Sequence, residues 1–366
     1  MVEHIINRPE CTKEQRIDAL ELLGATIANY KSRDINKAFS YMKRGMQERY
    51  EDPAHPSLKK KMEPVEAYQN RKESQTLEEL ALLEGDDHAI GMEGLIIRER
   101  ILGPDNPAVL FNIRYRGDVL ADSGQYELCF GLWQRAMEKA TNNDVSIIED
   151  LGCYTSAFGE MVQNRILLRP NFIEDAFEIL VVVSEKRTEK LQEGYGNEEL
   201  KDTLYYALYL LMIYTKLKVQ NANMTDFLQR FLRLNPCCSD GNTLLHLAAW
   251  HETPIKEDKV RSVCKLPCVE TMKLILHAGC DVNAVNTEGN TPLHLAVKFK
   301  PAEPEEVKIL RQILMLLVDI GADPKLENKS GQTPLNSCET DEARRILSEK
   351  GRLSAMNVDV GKVRKF

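Results

Sequence analysis

Two histidines occupy the same position in two copies of one phrase, and their side chains could do chemistry. His246 lies in "DGNTLLHLAAW" and His294 in "EGNTPLHLAVKF". Histidine often serves as a general base or a metal ligand near neutral pH. Either role needs a nucleophile or a second ligand at a recognisable spacing, and none accompanies these two residues. We therefore predict that both histidines close turns and hold structure.

Cysteines are the other reactive groups of the chain. Nine are spread along the whole sequence, which suits a reducing compartment and predicts a cytoplasmic or nuclear protein. Cys264 and Cys268 form a C-x3-C pair, with His277 and Cys280 downstream. A structural zinc site has four ligands in tight pairs. Because only one pair is visible, we predict no metal site.

Several function classes are excluded by what the sequence lacks. It has no P-loop, no dinucleotide-binding glycine pattern, no G-x-S-x-G and no H-E-x-x-H, so we predict a non-enzymatic protein without a cofactor. A net charge of -8 and a pI near 5.6 argue against a nucleic-acid partner. The longest apolar run, residues 204–219, is too short to span a bilayer and contains two lysines, so no membrane association is predicted.

The elements that must position these residues are helices. Apolar residues recur at three- and four-residue spacing between short breaks rich in Gly, Pro, Asn and Asp, which is typical of amphipathic helices of ordinary length. Strand signals are almost absent. We predict an all-α protein, and helix pairs that recur along the chain would make it a solenoid.

One phrase occurs three times near the C-terminus, beginning at Asp240, Glu288 and Ser330. In the middle copy, residues 291–296 match the ankyrin T-P-L-H-x-A signature at every specified position. Glycine permits the turn, and proline suits the first turn of a helix. In ankyrin repeats the signature threonine and histidine bond locally and across repeats, which is what the resemblance implies here. Structural ankyrin roles are assigned to Gly241, His246, Gly289, Thr291, Pro292, His294, Gly331, Thr333 and Pro334.

The copies are spaced more widely than a plain ankyrin array. Gly241 and Gly289 are 48 residues apart, and Gly289 and Gly331 are 42 apart, against a usual period of about 33. The surplus falls at residues 252–267 and 299–306, between the inner and outer helix of each repeat. Such insertions often bind partners, but a solvated loop without a partner is an equally good interpretation.

The N-terminal part repeats in a different register. Residues 112–140 follow the tetratricopeptide consensus, in which small residues let two helices approach and large ones fill the space between them. The residues that carry this pattern are Gly117, Leu120, Gly124, Tyr126, Trp133 and Ala136. A second helix pair precedes them in residues 12–50. We predict tetratricopeptide-like repeats over residues 1–140, a helical region that continues the solenoid over 141–235, about three ankyrin units over 236–350 and a tail over 351–366.

Charged residues around the N-terminal repeats suggest a binding role. The concave faces of helical arrays often hold peptide carboxylates through positive side chains. We therefore treat Arg98, Arg114 and Arg116 as candidate peptide-binding residues, with surface solubility as the alternative interpretation. The run of lysines at residues 59–61 is interpreted as a solvated loop.

The combination of arrays resembles the Fem (feminization) family of ankyrin-repeat proteins. The phrases that carry the resemblance are "CTKEQRIDALELLGATIAN", "LIIRERILGPDNP", "IRYRGDVLADSGQYE" and "GCDVNAVNTEGNTPLH". It covers residues 1 to about 350 and corresponds to the C-terminal half of the family's proteins. The resemblance implies a substrate receptor of a cullin-2 RING ubiquitin ligase, which reads C-terminal degrons and works with elongin B/C and cullin-2.

Two departures from the family pattern limit this implication. In the family, the degron pocket lies mainly in an N-terminal ankyrin array and an elongin-binding box follows the last repeat. We expect this chain to lack both, since it opens in the tetratricopeptide region and "GRLSAMNVDVGKVRKF" does not resemble the box. The alternative function is a cytosolic scaffold or adaptor, or a truncated competitor, without a link to the ligase.

Overall fold

The computed structural model describes residues 11–30, 34–191, 198–218 and 222–349. Its α-helices are α1 (Lys13–Ala28), α2 (Ile35–Arg49), α3 (Leu77–Ala81), α4 (Asp87–Leu102), α5 (Pro107–Asp122), α6 (Tyr126–Asn142), α7 (Ile148–Gln163), α8 (Pro170–Leu191), α9 (Glu198–Lys216), α10 (Ala222–Arg233), α11 (Leu244–Ala249), α12 (Asp258–Val263), α13 (Val269–His277), α14 (Pro292–Ala296) and α15 (Pro304–Ile320). A 3-10 turn covers Glu66–Tyr68, and residues 341–349 are also helical.

The all-α prediction is confirmed. Within the described ranges no strand forms, and the only β pairing there is an isolated bridge between Cys237 and Thr243. In the same ranges no helix is both long and apolar enough to cross a membrane. The predicted tail, residues 351–366, lies outside the described residues.

The chain divides into two compact units, Met1–Asp150 and Leu151–Phe366. The first, unit 1, contains α1 to α6 and the first residues of α7, and the second, unit 2, contains the remaining helices. The predicted region 141–235 therefore belongs with the ankyrin units except for its first residues. Its predicted boundaries with the flanking arrays stay predictions.

Unit 1 is built from helix pairs whose close approach depends on glycine. In the α1–α2 pair, a Cβ on Gly24 would lie 2.7 Å from the carbonyl oxygen of Ala38. In the α5–α6 pair, a Cβ on Gly117 would collide with the indole of Trp133. Leu120 and Ala136 are buried in this second pair, and Gly124 has a φ of 71° in the turn that joins its helices. Small residues thus set the distance between helices here.

Unit 2 continues with long helices and ends in the repeated phrases. Helix α9 is buried along most of its length and packs against α8, α11 and α13. Each of the first two phrases forms a turn that leads into a short inner helix, α11 or α14, and an outer helix, α13 or α15, follows. The insertion in the first repeat contains α12. This layout places both signature histidines inside the stack.

Candidate functional site

Each signature histidine joins its own turn to the next repeat. In the first repeat, the backbone N–H of Thr243 donates to His246 Nδ1 at 3.2 Å, and His246 Nε2 donates to the carbonyl oxygen of Asn290 at 2.9 Å. In the second repeat, Thr291 N–H donates to His294 Nδ1 at 3.1 Å, and His294 Nε2 donates to the carbonyl of Gln332 at 3.0 Å. Both ring nitrogens of each histidine are therefore engaged.

Burial fixes these rings in the neutral form. Both histidines have 0% of their surface exposed. Burial lowers the pKa of His246 from its ordinary 6.5 to about 4, and it also lowers the pKa of His294. A neutral ring has one N–H and one lone pair. The lone pair on Nδ1 accepts from the threonine of the same turn, and the N–H on Nε2 donates to the next repeat. The arrangement leaves neither nitrogen of these rings for a metal ion or for proton transfer.

A ladder of asparagine side chains runs beside the histidines. Asn286 Nδ2 donates to Asn242 Oδ1 at 3.0 Å, and Asn328 Nδ2 donates to Asn290 Oδ1 at 2.9 Å. Sequence reasoning missed this ladder. The signal was present, because an asparagine stands five residues before the signature threonine in both the second and the third copy.

Backbone groups join the same turns. The N–H of Thr287 donates to the carbonyl of Asp240 at 2.8 Å, and the N–H of Lys329 donates to the carbonyl of Glu288 at 2.9 Å. These bonds bring the turns so close that a Cβ on Gly289 would lie 2.9 Å from the nitrogen of Lys329. We use the term asparagine ladder for Asn242, Asn286, Asn290 and Asn328 together with these backbone bonds.

The third phrase departs from the first two. Asn336 replaces the histidine, and residues 334–337 form a turn where the earlier copies form an inner helix. Thr333 Oγ1 accepts from the N–H of Asn336 at 3.3 Å, and Cys338 Sγ donates to the carbonyl of Pro334 at 3.4 Å. A Cβ on Gly331 would meet no described atom within 4 Å. The third turn is thus more open than the other two on this side.

The first insertion packs against helices of its own unit. Tyr206 donates its hydroxyl to Glu257 at 3.0 Å, and Tyr209 donates to the carbonyl of Pro254 at 2.8 Å. Ser156 donates to the second carboxylate oxygen of Glu257 at 3.1 Å. The insertion is therefore docked on α7 and α9. The second insertion, residues 299–306, carries an exposed ion pair between Lys300 and Glu339 at 2.6 Å.

The cysteines near the first insertion are poor ligands as they stand. Burial raises the pKa of the Cys264 thiol to about 12 and that of Cys280 to about 11. Thiolate is the form that binds metal. Across the described residues, no three His, Cys, Asp or Glu side chains lie together in a way that could hold a metal ion.

A cavity of about 700 Å³ lies beside the first ankyrin turn. The end of α10 contributes Leu232 and Arg233, the first repeat contributes Leu244, and the loop before the second turn contributes Asp281 and Val285. Val285 is 58% exposed, which is high for an aliphatic side chain at a cavity. The volume is in the range of ordinary ligand pockets.

The three candidate peptide-binding arginines of unit 1 are engaged inside the protein. Arg98 donates to Thr26 Oγ1 at 2.6 Å and to the carbonyl of Ala108 at 3.0 Å. Arg114 forms a two-pronged pair with Asp150, with 2.6 Å between Nε and Oδ1. Arg116 is buried, and one of its nitrogens lies 3.3 Å from a carboxylate oxygen of Asp87.

Peptide binding by these arginines stays a prediction, and their internal partners favour a structural role. Arg98 and Arg116 are 9% and 2% exposed, so a peptide carboxylate would have to displace protein atoms to reach them.

Unit 1 also contains a buried ion network that the sequence did not reveal. Arg49 holds Glu21 through two bonds of 2.7 and 2.8 Å, and Arg100 pairs with both Glu21 and Glu73. Lys59 Nζ lies 2.9 Å from Glu73 and has 2% of its side chain exposed. The interpretation of residues 59–61 as a solvated loop is therefore wrong for Lys59, because its ammonium group is drawn in by two carboxylates.

The network keeps Glu21 charged although it is buried. Burial raises the pKa of Glu21, but the hydrogen bond from Arg49 and the charges of Lys59 and Arg100 outweigh burial and hold the pKa below its ordinary value. A second buried carboxylate lies nearby, where the hydroxyl of Tyr68 donates a hydrogen bond to Glu99 at 2.6 Å. These bonds tie the long segment between α2 and α3 to the helices.

Comparison with known proteins agrees with this architecture. The family described as ankyrin repeats (many copies) matches residues 261–303, and the family described as ankyrin repeat matches residues 288–329. The chain is 33% identical to protein fem-1 homolog C of Danio rerio over 325 residues, which cover 85% of this chain and 52% of that protein.

Further relatives carry related names. The identity to protein fem-1 homolog C of Xenopus laevis is 32% over 349 residues, covering 91% of this chain and 54% of that protein. The identity to protein fem-1 homolog A of Danio rerio is 33% over 315 residues, covering 81% and 50%. The chain spans about half the length of the curated relatives it matches. The resemblance seen in the sequence is thus confirmed, and the chain is a repeat protein of the Fem-1 family.

Proposed function

We propose that this chain is a non-enzymatic protein-interaction subunit that acts as a substrate-recognition component of a cullin-2 RING ubiquitin ligase. The observation that carries the non-enzymatic part is the full use of both signature histidines. Each ring is neutral and buried and bridges two repeats, so the residues best suited to acid–base work instead rigidify a stack. Ankyrin repeats indicate protein–protein interaction.

The ligase role and the reading of C-terminal degrons are supported by likeness to the Fem family. Elongin B/C and cullin-2 are the expected assembly partners, and C-terminal peptides of client proteins are the expected ligands. Within this proposal, a client segment enters the cavity beside the first ankyrin turn, where exposed Val285 supplies apolar contact and Arg233 supplies a positive charge. The competing function is a scaffold or competitor without a link to the ligase.

Affinity purification of the tagged chain from cells tests this proposal. Elongin B, elongin C and cullin-2 should be recovered together with client proteins, which would mean that the chain binds the elongins through residues that do not resemble the family's box. A client bound through a C-terminal degron should no longer be recovered when a short Gly-Ser tail is appended to its C-terminus.

Two matched variants locate the client site. Val285→Asp should lose clients and keep the elongins and cullin-2, because a charge in the cavity repels an apolar segment. Ile320→Asp changes another exposed aliphatic residue of the same unit, one that does not line the cavity, and should keep both. Recovery of clients without elongins or cullin-2 would favour the scaffold, and equal client recovery by the two variants would exclude the cavity.

A further inference from the structure

Three aromatic rings lie together on the surface of unit 1. The ring centroids of Tyr30 and Phe111 are 6.0 Å apart, and those of Phe111 and Tyr115 are 6.5 Å apart with the ring planes nearly parallel. Tyr30 is 48% exposed and Phe111 is 53% exposed. We call Tyr30, Phe111 and Tyr115 the aromatic shelf. It combines the end of α1 with the exposed side of α5.

The aromatic shelf is not needed to fill the hydrophobic core. The buried face of α5 is already supplied by Leu110, Ile113, Gly117 and Leu120, which pack inward. Phe111 and Tyr115 are four residues apart and share the opposite side of the helix. Burying an aromatic side chain is strongly favourable, yet about half of the surface of Phe111 and of Tyr30 stays exposed. Grouped exposed aromatic residues are typical of sites that bind a protein partner.

Carboxylates continue the same side of α5. Asp118 follows Tyr115 by three residues, Asp122 follows by seven, and both are exposed. Although the side chain of Asp118 is exposed, protein atoms around its carboxyl group partly desolvate it and raise its pKa, and the charges of Asp122 and Asp150 raise the pKa further. The guanidinium of Arg114, which also acts on Asp118, is paired with Asp150. The group formed by these three aspartates and Arg114 is therefore net negative.

We propose that the aromatic shelf binds a short segment of a partner protein in which lysine or arginine stands next to apolar residues. The apolar side chains lie on the rings of Phe111 and Tyr115, and the cation reaches Asp118 and Asp122. Positive groups are attracted both by the faces of aromatic rings and by carboxylates, so the two halves of the surface favour the same ligand. An acidic segment is repelled by the same carboxylates.

This proposal is independent of the ligase role, and it reverses the charge expected from Arg98, Arg114 and Arg116. Those arginines suggested a site for a peptide carboxylate, but their guanidinium groups are held by Thr26, Asp150 and Asp87. Among the residues that the structure describes, the helices leave exposed at this place a surface that is aromatic and negative.

Selection from a library of short random peptides displayed on phage tests the proposal. The library is selected on the full chain and then depleted on a Tyr30→Ala/Phe111→Ala variant, so that only peptides that need the shelf remain. The remaining peptides should be enriched in lysine and arginine beside apolar residues. The absence of peptides that discriminate the two proteins, or an enrichment in acidic residues, would overturn the proposal.

Synthetic versions of the selected peptides then give dissociation constants by fluorescence polarisation. Phe111→Ala should weaken binding about tenfold or more, and Asp118→Asn/Asp122→Asn should weaken it and reduce its sensitivity to salt. Leu82→Ala removes an exposed apolar side chain elsewhere in unit 1 and should leave the constant unchanged. Melting temperatures should change only slightly, because Phe111, Asp118, Asp122 and Leu82 are at the surface. Equal weakening by Leu82→Ala would contradict the assignment.

Discussion

A histidine whose two ring nitrogens both hold neighbours can be replaced only by a side chain that repeats at least one of those bonds. His294→Ala leaves the N–H of Thr291 and the carbonyl of Gln332 without their partner and should lower the free energy of unfolding by about 1 to 3 kcal/mol. His294→Gln keeps an acceptor for Thr291 in the manner of a capping box and should lose less. Thermal melts of the two variants measure the difference. A fully stable His294→Gln protein that has lost all partner binding would indicate chemistry at this position.

The depressed pKa of His246 makes stability depend on pH. The unfolded chain takes up a proton near pH 6.5, whereas the folded chain resists protonation down to about pH 4. The contribution of neutral His246 to the free energy of unfolding is therefore complete above about pH 6.5 and is lost as the pH falls toward 4. Between about pH 7 and pH 5 the loss should be about 2 kcal/mol.

Urea unfolding at the two pH values measures this effect, and His246→Gln is the control. The variant lacks the titrating group, so its stability should fall less over the same interval. An equal fall in both proteins would show that other groups carry the dependence.

At the scale of elements, the buried ion network makes the carboxylate of Glu21 far more important for stability than carboxylates on the surface. Glu21→Gln removes the partner of Arg49 and Arg100 and should lower the free energy of unfolding by about 3 kcal/mol or more, because it leaves buried cations without compensation. Glu51→Gln breaks an ion pair with Lys13 in which the glutamate is 72% exposed. That control should cost less than about 1 kcal/mol. Urea denaturation compares the two, and similar costs would contradict a structural role for the network.

Replacing glycine by alanine should destabilise the ankyrin turns to different extents, although the backbone angles of the glycines are alike. Gly289 has a φ of 78° and Gly331 a φ of 70°, so alanine strains both turns by about 1 kcal/mol. Only at Gly289 would the new methyl also press on the nitrogen of Lys329, in the next turn. We expect Gly289→Ala to lower the melting temperature clearly more than Gly331→Ala. Equal shifts would mean that the turns can separate without cost.

At the scale of the whole molecule, the two compact units should respond separately to changes made inside them. Glu21→Gln should speed amide hydrogen exchange within unit 1, and Gly289→Ala should speed it in the ankyrin repeats, because stability in repeat proteins spreads mainly between neighbours. Exchange followed by mass spectrometry on peptides from each unit measures this. Faster exchange throughout the chain in either variant would mean that the units unfold together.

The sequence predicted the repeated elements but not which side chains of neighbouring repeats meet. Helix pairs and ankyrin turns leave a periodic record, since Thr291, Pro292 and His294 stand at fixed offsets that recur along the chain. The bonds of the asparagine ladder join residues about forty positions apart, so only the fold reveals which side chains meet.

The ion network is a second set of contacts that the sequence could not predict, because its members are far apart along the chain. Lys59 lies in a run of three lysines, whose composition indicates a solvated loop, and nothing local says that Glu21 and Glu73 will lie within reach. The arginines of unit 1 were singled out for their charge, but whether a guanidinium faces a ligand or a neighbouring helix depends on packing. Arg98 and Arg116 turned inward.

The asparagine ladder also decides where this protein can change in length. Each bond of the ladder joins two neighbouring turns, and an inner helix begins directly after the first and after the second of these turns. The connection between the inner and outer helices takes no part in these bonds. Codons can therefore be gained or lost at residues 252–267 and 299–306 without disturbing the spacing of the turns. The repeats of 48 and 42 residues therefore have the same bonds between their turns although they differ in length. Lineages of such a gene are expected to differ in length at these two places and to agree at the turns.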